Sequence, residues 1–155
     1  IAGVFKADDT QGQNRHKGYV RALQEAGMPY DPDMVVWFYT EDRKIHPYEG
    51  IQNIAKNKEL DAVVCYNDQN AMGVIRALEA LDLKIPDDVS VTGYDNFYMA
   101  NQSDFRLTSI AHPQEKLGEM AAELLLDLVV NGENSEKQKI MIEPELVEGT
   151  SCKRR

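Results

Sequence analysis

The chain has 155 residues, of which 43% are apolar and 28% charged, enough to bury one core of ordinary size. Its formal net charge of −9 argues against this segment gripping nucleic acid itself, because DNA affinity rests largely on cationic contacts to phosphate. No apolar run approaches the length that crosses a bilayer, and no secretion leader is visible, so no membrane partner is expected.

The chain begins Ile1-Ala2-Gly3-Val4-Phe5, a run that reads as a buried strand with no initiator Met and no polar lead-in. A piece of a longer polypeptide is therefore expected. Gln13–Ala26 places Tyr19, Leu23 and Ala26 on one helical face, with Gly27 placed to end the helix. Met34–Tyr39 is a second apolar strand. Tyr48–Asn57 is a weaker helix carrying Ile51, Ile54 and Ala55. Asp61–Tyr66 is a third strand, and Asp68–Leu81 is a strong helix with Met72, Ile75 and Leu78 spaced along one stripe. Val89–Tyr94 is a fourth strand.

Strands apolar on both faces and joined by helices imply an α/β fold: a doubly wound parallel sheet covered on both sides. After Asp95 the pattern changes. Phe97–Arg106 has no clear period, Leu107–Ala111 is a short strand, and Pro113 suits the first turn of a helix running to Val130. Lys139–Val147 alternates and reads as a last strand, with Pro144 favouring an edge or a bend. The terminal Lys153-Arg154-Arg155 reads as a solvated basic tail.

Ligands of such sheets collect at the carboxyl ends of the strands. The segments to inspect are therefore Lys6-Ala7-Asp8-Asp9, Thr40-Glu41-Asp42, Asn67-Asp68 and Asp95-Asn96, which are polar and largely acidic. A plainer reading makes some of them helix caps. No nucleophile elbow, phosphate loop, zinc-binding helix or dinucleotide fingerprint is present, and the three histidines are scattered, so neither an enzyme nor a resident cofactor or metal is expected. Two cysteines far apart form no disulfide framework, a usage that fits a reducing cytoplasm.

Two kinds of chemistry suit the rim. Asp8-Asp9 and Asp68 stand roughly where a phospho-acceptor receiver site keeps its carboxylates, but the Lys such a site needs after the last strand is replaced by Asp95-Asn96-Phe97-Tyr98. A sugar fits better. Its vicinal hydroxyls both donate and accept, and Asn67, Asp95 and Arg15 match them in pairs, with Trp37, Phe38 or Tyr39 available to cover an apolar ring face. Side chains alternate along a strand, so those three rings cannot all face one side.

The run from Asp61 to Asn96, DAVVCYNDQNAMGVIRALEALDLKIPDDVSVTGYDN, resembles the effector domain of LacI/GalR-type repressors. An apolar strand is followed by Asn-Asp, a helix, and Ile85-Pro86-Asp87-Asp88-Val89-Ser90-Val91-Thr92-Gly93-Tyr94-Asp95; Asp82 stands where the family usually has Gly. Arg15-x-x-Gly18-Tyr19 and Leu107-Thr108-Ser109-Ile110 fit as well. Val4–Gly12, Cys65–Asp68 and Thr108–Pro113 are similar to the arabinose-responsive branch of bacilli, which joins a LacI-like sensor to a GntR-type winged-helix head.

The resemblance implies a periplasmic-binding-protein-like class I fold of two lobes joined by crossing strands, with a sugar, L-arabinose in that branch, between them. It implies that residues 1–95 and 139–150 form the carboxyl-side lobe. Residues 96–138 would then be a hinge crossing, strand and helix of the other lobe, with 151–155 a tail. Carried over by position, the sugar-binding residues are Arg15, Asn67, Asp95 and His112, then Lys6 and Asp8. Family dimers imply a homodimer interface at Met72, Ile75, Arg76 and Tyr98, and operator DNA as a partner through a head outside this chain. A sugar-binding protein of a transport system shares the fold and is the alternative. If Pro113–Val130 belongs to the other lobe, Leu117, Leu124 and Leu128 are left without a partner within this chain.

Overall fold

The computed structural model describes residues 1–97, 105–132 and 139–153. The first unit of the fold is β1 (Ala2–Lys6) followed by α1 (Thr10–Glu25). Helix α1 starts three residues earlier than the apolar periodicity predicts. The reason is Asp9, whose side chain accepts from the Gly12 amide at 2.6 Å and caps the helix at the end of the strand. A 3-10 turn (Pro32–Met34) leads into β2 (Val35–Phe38), then α2 (His46–Asn57), β3 (Ala62–Cys65), α3 (Asp68–Glu79) and β4 (Ser90–Thr92).

The four strands form one parallel sheet in the order β2-β1-β3-β4. Alternation along β1 and β3 sorts the side chains between its two faces. Val4, Val63 and Cys65 pack with Phe38, Ile51, Ile54, Val74 and Leu78 in the larger core, against α2 and α3. Phe5 packs with Tyr19 and Leu23 under α1. Phe5, Phe38, Ile51 and Leu78 are fully buried, and each contributes about 1.5–3 kcal/mol of apolar transfer. The sheet is thus parallel and wound on both sides, as the sequence predicts. The chain leaves β1 in opposite directions to reach β2 and β3, so a crevice opens at the carboxyl ends of β1 and β3.

Beyond β4 the chain returns as β5 (Ser109–Ala111), α4 (Gln114–Asn131) and β6 (Glu145–Val147). The return segment runs alongside β4: Gly93 N donates to Thr108 O and Asp95 N to Ile110 O, each at 2.9 Å. β6 pairs antiparallel with β5. The predicted strand over Lys139–Val147 shrinks to these three residues, because β5 offers partners only to Glu145, Leu146 and Val147.

The basic-tail expectation is also corrected for residues 151–153. Ser151 is fully buried, its hydroxyl donating to Val91 O at 2.6 Å, and Lys153 pairs with Asp87 at 3.0 Å. Arg154 and Arg155 lie outside the described residues. Helix α4 lies largely exposed. None of its residues is buried: of the three leucines expected to lack a partner, Leu117 and Leu128 are 57% and 54% exposed while Leu124 is half-buried, and Leu125 is 62% exposed.

Candidate functional site

The strand ends deliver one connected polar rim. Lys6, at the end of β1, places its ammonium 3.1 Å from Asp9 and 3.6 Å from Asp8. Asp8 accepts from the hydroxyl of Thr40 at 2.7 Å and from its amide at 3.2 Å, which ties the loop after β2 to the loop after β1. Asp9 accepts from the hydroxyl of Tyr66 at 2.8 Å. These contacts fix the charges. Hydrogen bonding to Asp9 raises Lys6 above the usual lysine range, and the Thr40 hydroxyl lowers Asp8. Burial opposes ionisation of Asp9, but the Gly12 amide, the Tyr66 hydroxyl and Lys6 together hold its carboxyl below the usual range.

Tyr66 leads directly to Arg15. The guanidinium sits 3.7 Å from the ring centre of Tyr94 and 4.5 Å from that of Tyr66, and it donates to the Tyr66 carbonyl. Its other nitrogen lies 3.5 Å from Asp95 Oδ1. That same carboxylate oxygen is 3.6 Å from His112 Nε2, and the His112 ring packs on Tyr94 at 5.0 Å. Arg15, Asp95 and His112, which lie far apart in sequence, therefore meet. Arg15 comes from the second turn of α1, Asp95 from the bend after β4 and His112 from the end of β5. A flat, fully charged donor clamped between two rings presents its remaining N–H groups in a fixed plane, the geometry that paired hydroxyls or a carboxylate accept from.

Two hollows flank Asp95. One, of about 450 Å³, is bounded by Asp95, Asn96, His112 and the first turn of α4. The other, of about 510 Å³, is bounded by Asn67, Asp68, Gln69, Met72, Arg76, Asp95 and Phe97. Asn67 borders the second hollow, but its side chain accepts from the Asn70 amide at 2.9 Å and caps α3, the plainer role weighed for it.

The ring residues differ from those the sequence suggests. Trp37 packs on His16 at 4.8 Å and Phe5 at 6.0 Å beneath α1, Phe38 is buried in the larger core, and Tyr39 is exposed. The rings at the rim are Tyr66 and Tyr94. The signal for them is their position: each is the last residue before a polar strand end, in Cys65-Tyr66-Asn67 and Gly93-Tyr94-Asp95. Asp68 gives no support to a receiver site, since its two oxygens are taken by Ser109 Oγ and the Phe97 amide, each at 2.6 Å. No group of three metal-ligating side chains occurs among the described residues.

Of the expected interface residues, Ile75 is 4% exposed and belongs to the core, on the stripe of α3 that also carries Leu78. Met72 is partly buried against that core, Arg76 is exposed, and Tyr98 lies outside the described residues. No helix among the described residues is long and apolar enough to cross a membrane.

Residues 1–152 match the periplasmic binding protein-like domain. The arabinose metabolism transcriptional repressors of Halalkalibacterium halodurans and Geobacillus stearothermophilus are each 33% identical, over 95% and 99% of this chain but 41% and 43% of their own lengths. The HTH-type transcriptional repressor PurR of Photorhabdus laumondii is 38% identical over 90% of this chain and 40% of its own. The chain thus spans about two fifths of the curated relatives it matches. These relatives are transcription repressors, not enzymes.

Among solved structures, the transcriptional regulator CelR in complex with cellobiose superposes with a TM-score of 0.83 at 30% identity, over 97% of this chain and 46% of that one. A LacI family regulator from Enterococcus faecium with bound ribose gives 0.80 at 29% identity, over 98% and 56%.

Proposed function

Because this chain belongs to the periplasmic binding protein-like domain family, we propose that it is the ligand-sensing lobe of a bacterial transcription repressor that binds a small sugar, with L-arabinose the first candidate. The observation that carries this reading is the convergence of Arg15, Asp95 and His112 on one carboxylate oxygen at the crevice of a parallel sheet, with Arg15 held between Tyr66 and Tyr94. The set has donors, acceptors and a rigid frame, and it contains no nucleophile paired with a base. Lys6 stands further out, linked to Arg15 through Asp9 and Tyr66, and Asp8 beyond it through Lys6. Asn67 serves first as a helix cap through its side-chain oxygen and lines the hollow beside Asp95.

In this reading residues 1–95 and 139–150, with Ser151 and Lys153 added, belong to one lobe, and α4 belongs to the other. The bare leucine face of α4 supports that division. Sugar entry draws the lobes together and biases a two-state equilibrium between DNA-binding and released forms. The working molecule is a cytoplasmic homodimer whose paired surfaces include Met72, Arg76 and Tyr98, and operator DNA is held by a head outside this chain. L-arabinose is favoured over other sugars by the two arabinose repressors at 33% identity.

The test is release of the full-length protein from its operator, followed by fluorescence anisotropy, with L-arabinose, ribose, galactose and xylose. Release by arabinose at the lowest concentration supports the reading. Release by another of these sugars overturns the sugar identity alone. Retention on DNA with every sugar, together with no heat of binding, overturns sugar sensing.

A further inference from the structure

Asp68 is the one fully buried carboxylate among the described residues, 1% exposed, and it lies in the wall of the 510 Å³ hollow between Asn67 and Asp95. Its Oδ1 accepts from the hydroxyl of Ser109 at 2.6 Å and its Oδ2 from the Phe97 amide at 2.6 Å, while its own amide donates to Tyr94 O at 2.9 Å. Ser109 Oγ in turn accepts from the Asn96 amide at 3.1 Å. One carboxylate therefore joins three elements: the start of α3, the bend after β4, and the return strand β5.

The bend it holds is an unusual one. Asp95 has φ +98° and Asn96 φ +48°, two consecutive non-glycine residues in the positive-φ region. Asn96 lies in the left-handed well that Asn tolerates, but Asp95 lies outside it, so the conformation persists only where its surroundings over-determine it. Those surroundings are the amides of Asp95, Asn96 and Phe97, donated to Ile110 O, Ser109 Oγ and Asp68 Oδ2 respectively. Room for the carboxylate comes from Gly93. A Cβ there would lie 2.1 Å from Asp68 Oδ1 and 2.6 Å from Leu107 Cδ2. The Asn-Asp and Gly-Tyr-Asp motifs are thus two halves of one buried contact.

We propose that Asp68 is a positioning residue: seated in the space left by Gly93 and bonded to Ser109, it clasps the Asp95–Asn96 bend to the crossing strand and so aims the Asp95 carboxylate at Arg15, His112 and the ligand. The ligand half of this statement rests on the sugar-sensing reading; the clasp itself does not. Because Asp68 is buried, its effect on a ligand passes through Asp95. Because Ser109 lies in the return strand, the clasp also fastens the binding rim to the segment that leads into α4, so the rim and the crossing move as one piece.

The experiment compares the full-length wild-type protein with Asp68→Asn, Ser109→Ala and a control, Ile54→Val, which removes a core methyl group far from the bend. Amide hydrogen exchange is followed at Asn96 and Phe97, and L-arabinose binding by calorimetry. Asp68→Asn is expected to speed exchange at Phe97, and Ser109→Ala at Asn96, at least about tenfold, and both to weaken arabinose binding about tenfold to a hundredfold, the range set by loss of a charge-assisted buried bond. The control lowers the urea midpoint without changing either readout, which separates positioning from general destabilisation. Unchanged exchange at Asn96 and Phe97 in both variants overturns the clasp. Fast exchange with unaltered arabinose affinity overturns its role in aiming Asp95. Should the wild type bind no arabinose, the sugar reading falls and the clasp is decided by exchange alone. Should Asp68→Asn fail to fold, Ser109→Ala, which leaves the carboxylate and its Phe97 bond in place, decides it.

Discussion

Replacing Gly12 and Gly18 by alanine, one at a time, sets helix propensity against packing within a single helix. Both glycines lie in α1, where alanine is favoured over glycine by about 1 kcal/mol. At Gly18 nothing lies within 4 Å of the added methyl group, so the propensity gain stands. At Gly12 the methyl carbon would lie 2.0 Å from Lys6 O, 2.8 Å from Lys6 C and 3.1 Å from Lys6 Cα. These are backbone atoms at the end of a central strand and cannot swing aside. Relief requires α1 and β1 to part by more than 1 Å at their joint, and overpacking of this kind costs about 1–3 kcal/mol, more than the propensity gain. Gly12→Ala is expected to lower the urea midpoint by up to roughly 1 M, a net cost of up to about 2 kcal/mol over a slope of about 2 kcal/mol/M, and Gly18→Ala to raise it by less than about 0.5 M. Moving the start of α1 also moves Asp9 and Arg15, so only Gly12→Ala should weaken ligand binding. Midpoints that shift in the same direction for both variants would refute the argument that the β1–α1 joint is packed to its limit.

Further outcomes follow from the same contacts. Burial lowers the His16 pKa from 6.5, so the neutral ring is the folded form; its stabilisation is present above pH 6.5 and is lost as pH falls through the lowered value. Urea midpoints at pH 7.5 and 5.5 should therefore differ less in His16→Gln than in the wild type, and an equal drop would refute the assignment. Burial pushes the Cys65 thiol far up, so in the native protein a maleimide should label the partly exposed Cys152 and leave Cys65 unmodified until urea is added, as peptide mapping will read. Leu125 is exposed in this chain, where Leu125→Asp would change stability by less than about 0.5 kcal/mol. If a second lobe covers it, the same substitution should cost the full-length protein about 2–4 kcal/mol; no change in its melting curve would count against assigning α4 to that lobe.

The architecture was legible because a buried parallel sheet writes itself plainly. Val36 and Val63 each stand in an uninterrupted apolar run, and each run is followed by a helical stripe. Boundaries failed where a contact distant in sequence sets them. Nothing local marks Glu145 as the point where pairing with β5 begins, or Ser151 as a buried donor to Val91. Arg15, Asp95 and His112 could be named from motif positions, but their meeting at one oxygen is a property of the return strand beside β4.

The neighbours Asn67 and Asp68 sharpen this limit. Both follow β3, both are polar, and either one reads as a ligand contact or as a cap. In the fold they part: both line the hollow beside Asp95, but Asn67 is half-buried there, while Asp68 is fully buried in a place that exists only because residue 93 has no side chain. Depth at a strand end is decided by what the next strand leaves empty, twenty-five positions further along the chain. Sequence spacing shows which residues gather at the rim, since strand ends are periodic. Which of them touch a ligand and which hold the rim in place depends on volumes contributed by other strands. At this site the glycine of the Gly-Tyr-Asp motif therefore matters for the space beside it, and substitutions at Asp68, Gly93 and Ser109 should perturb one and the same contact.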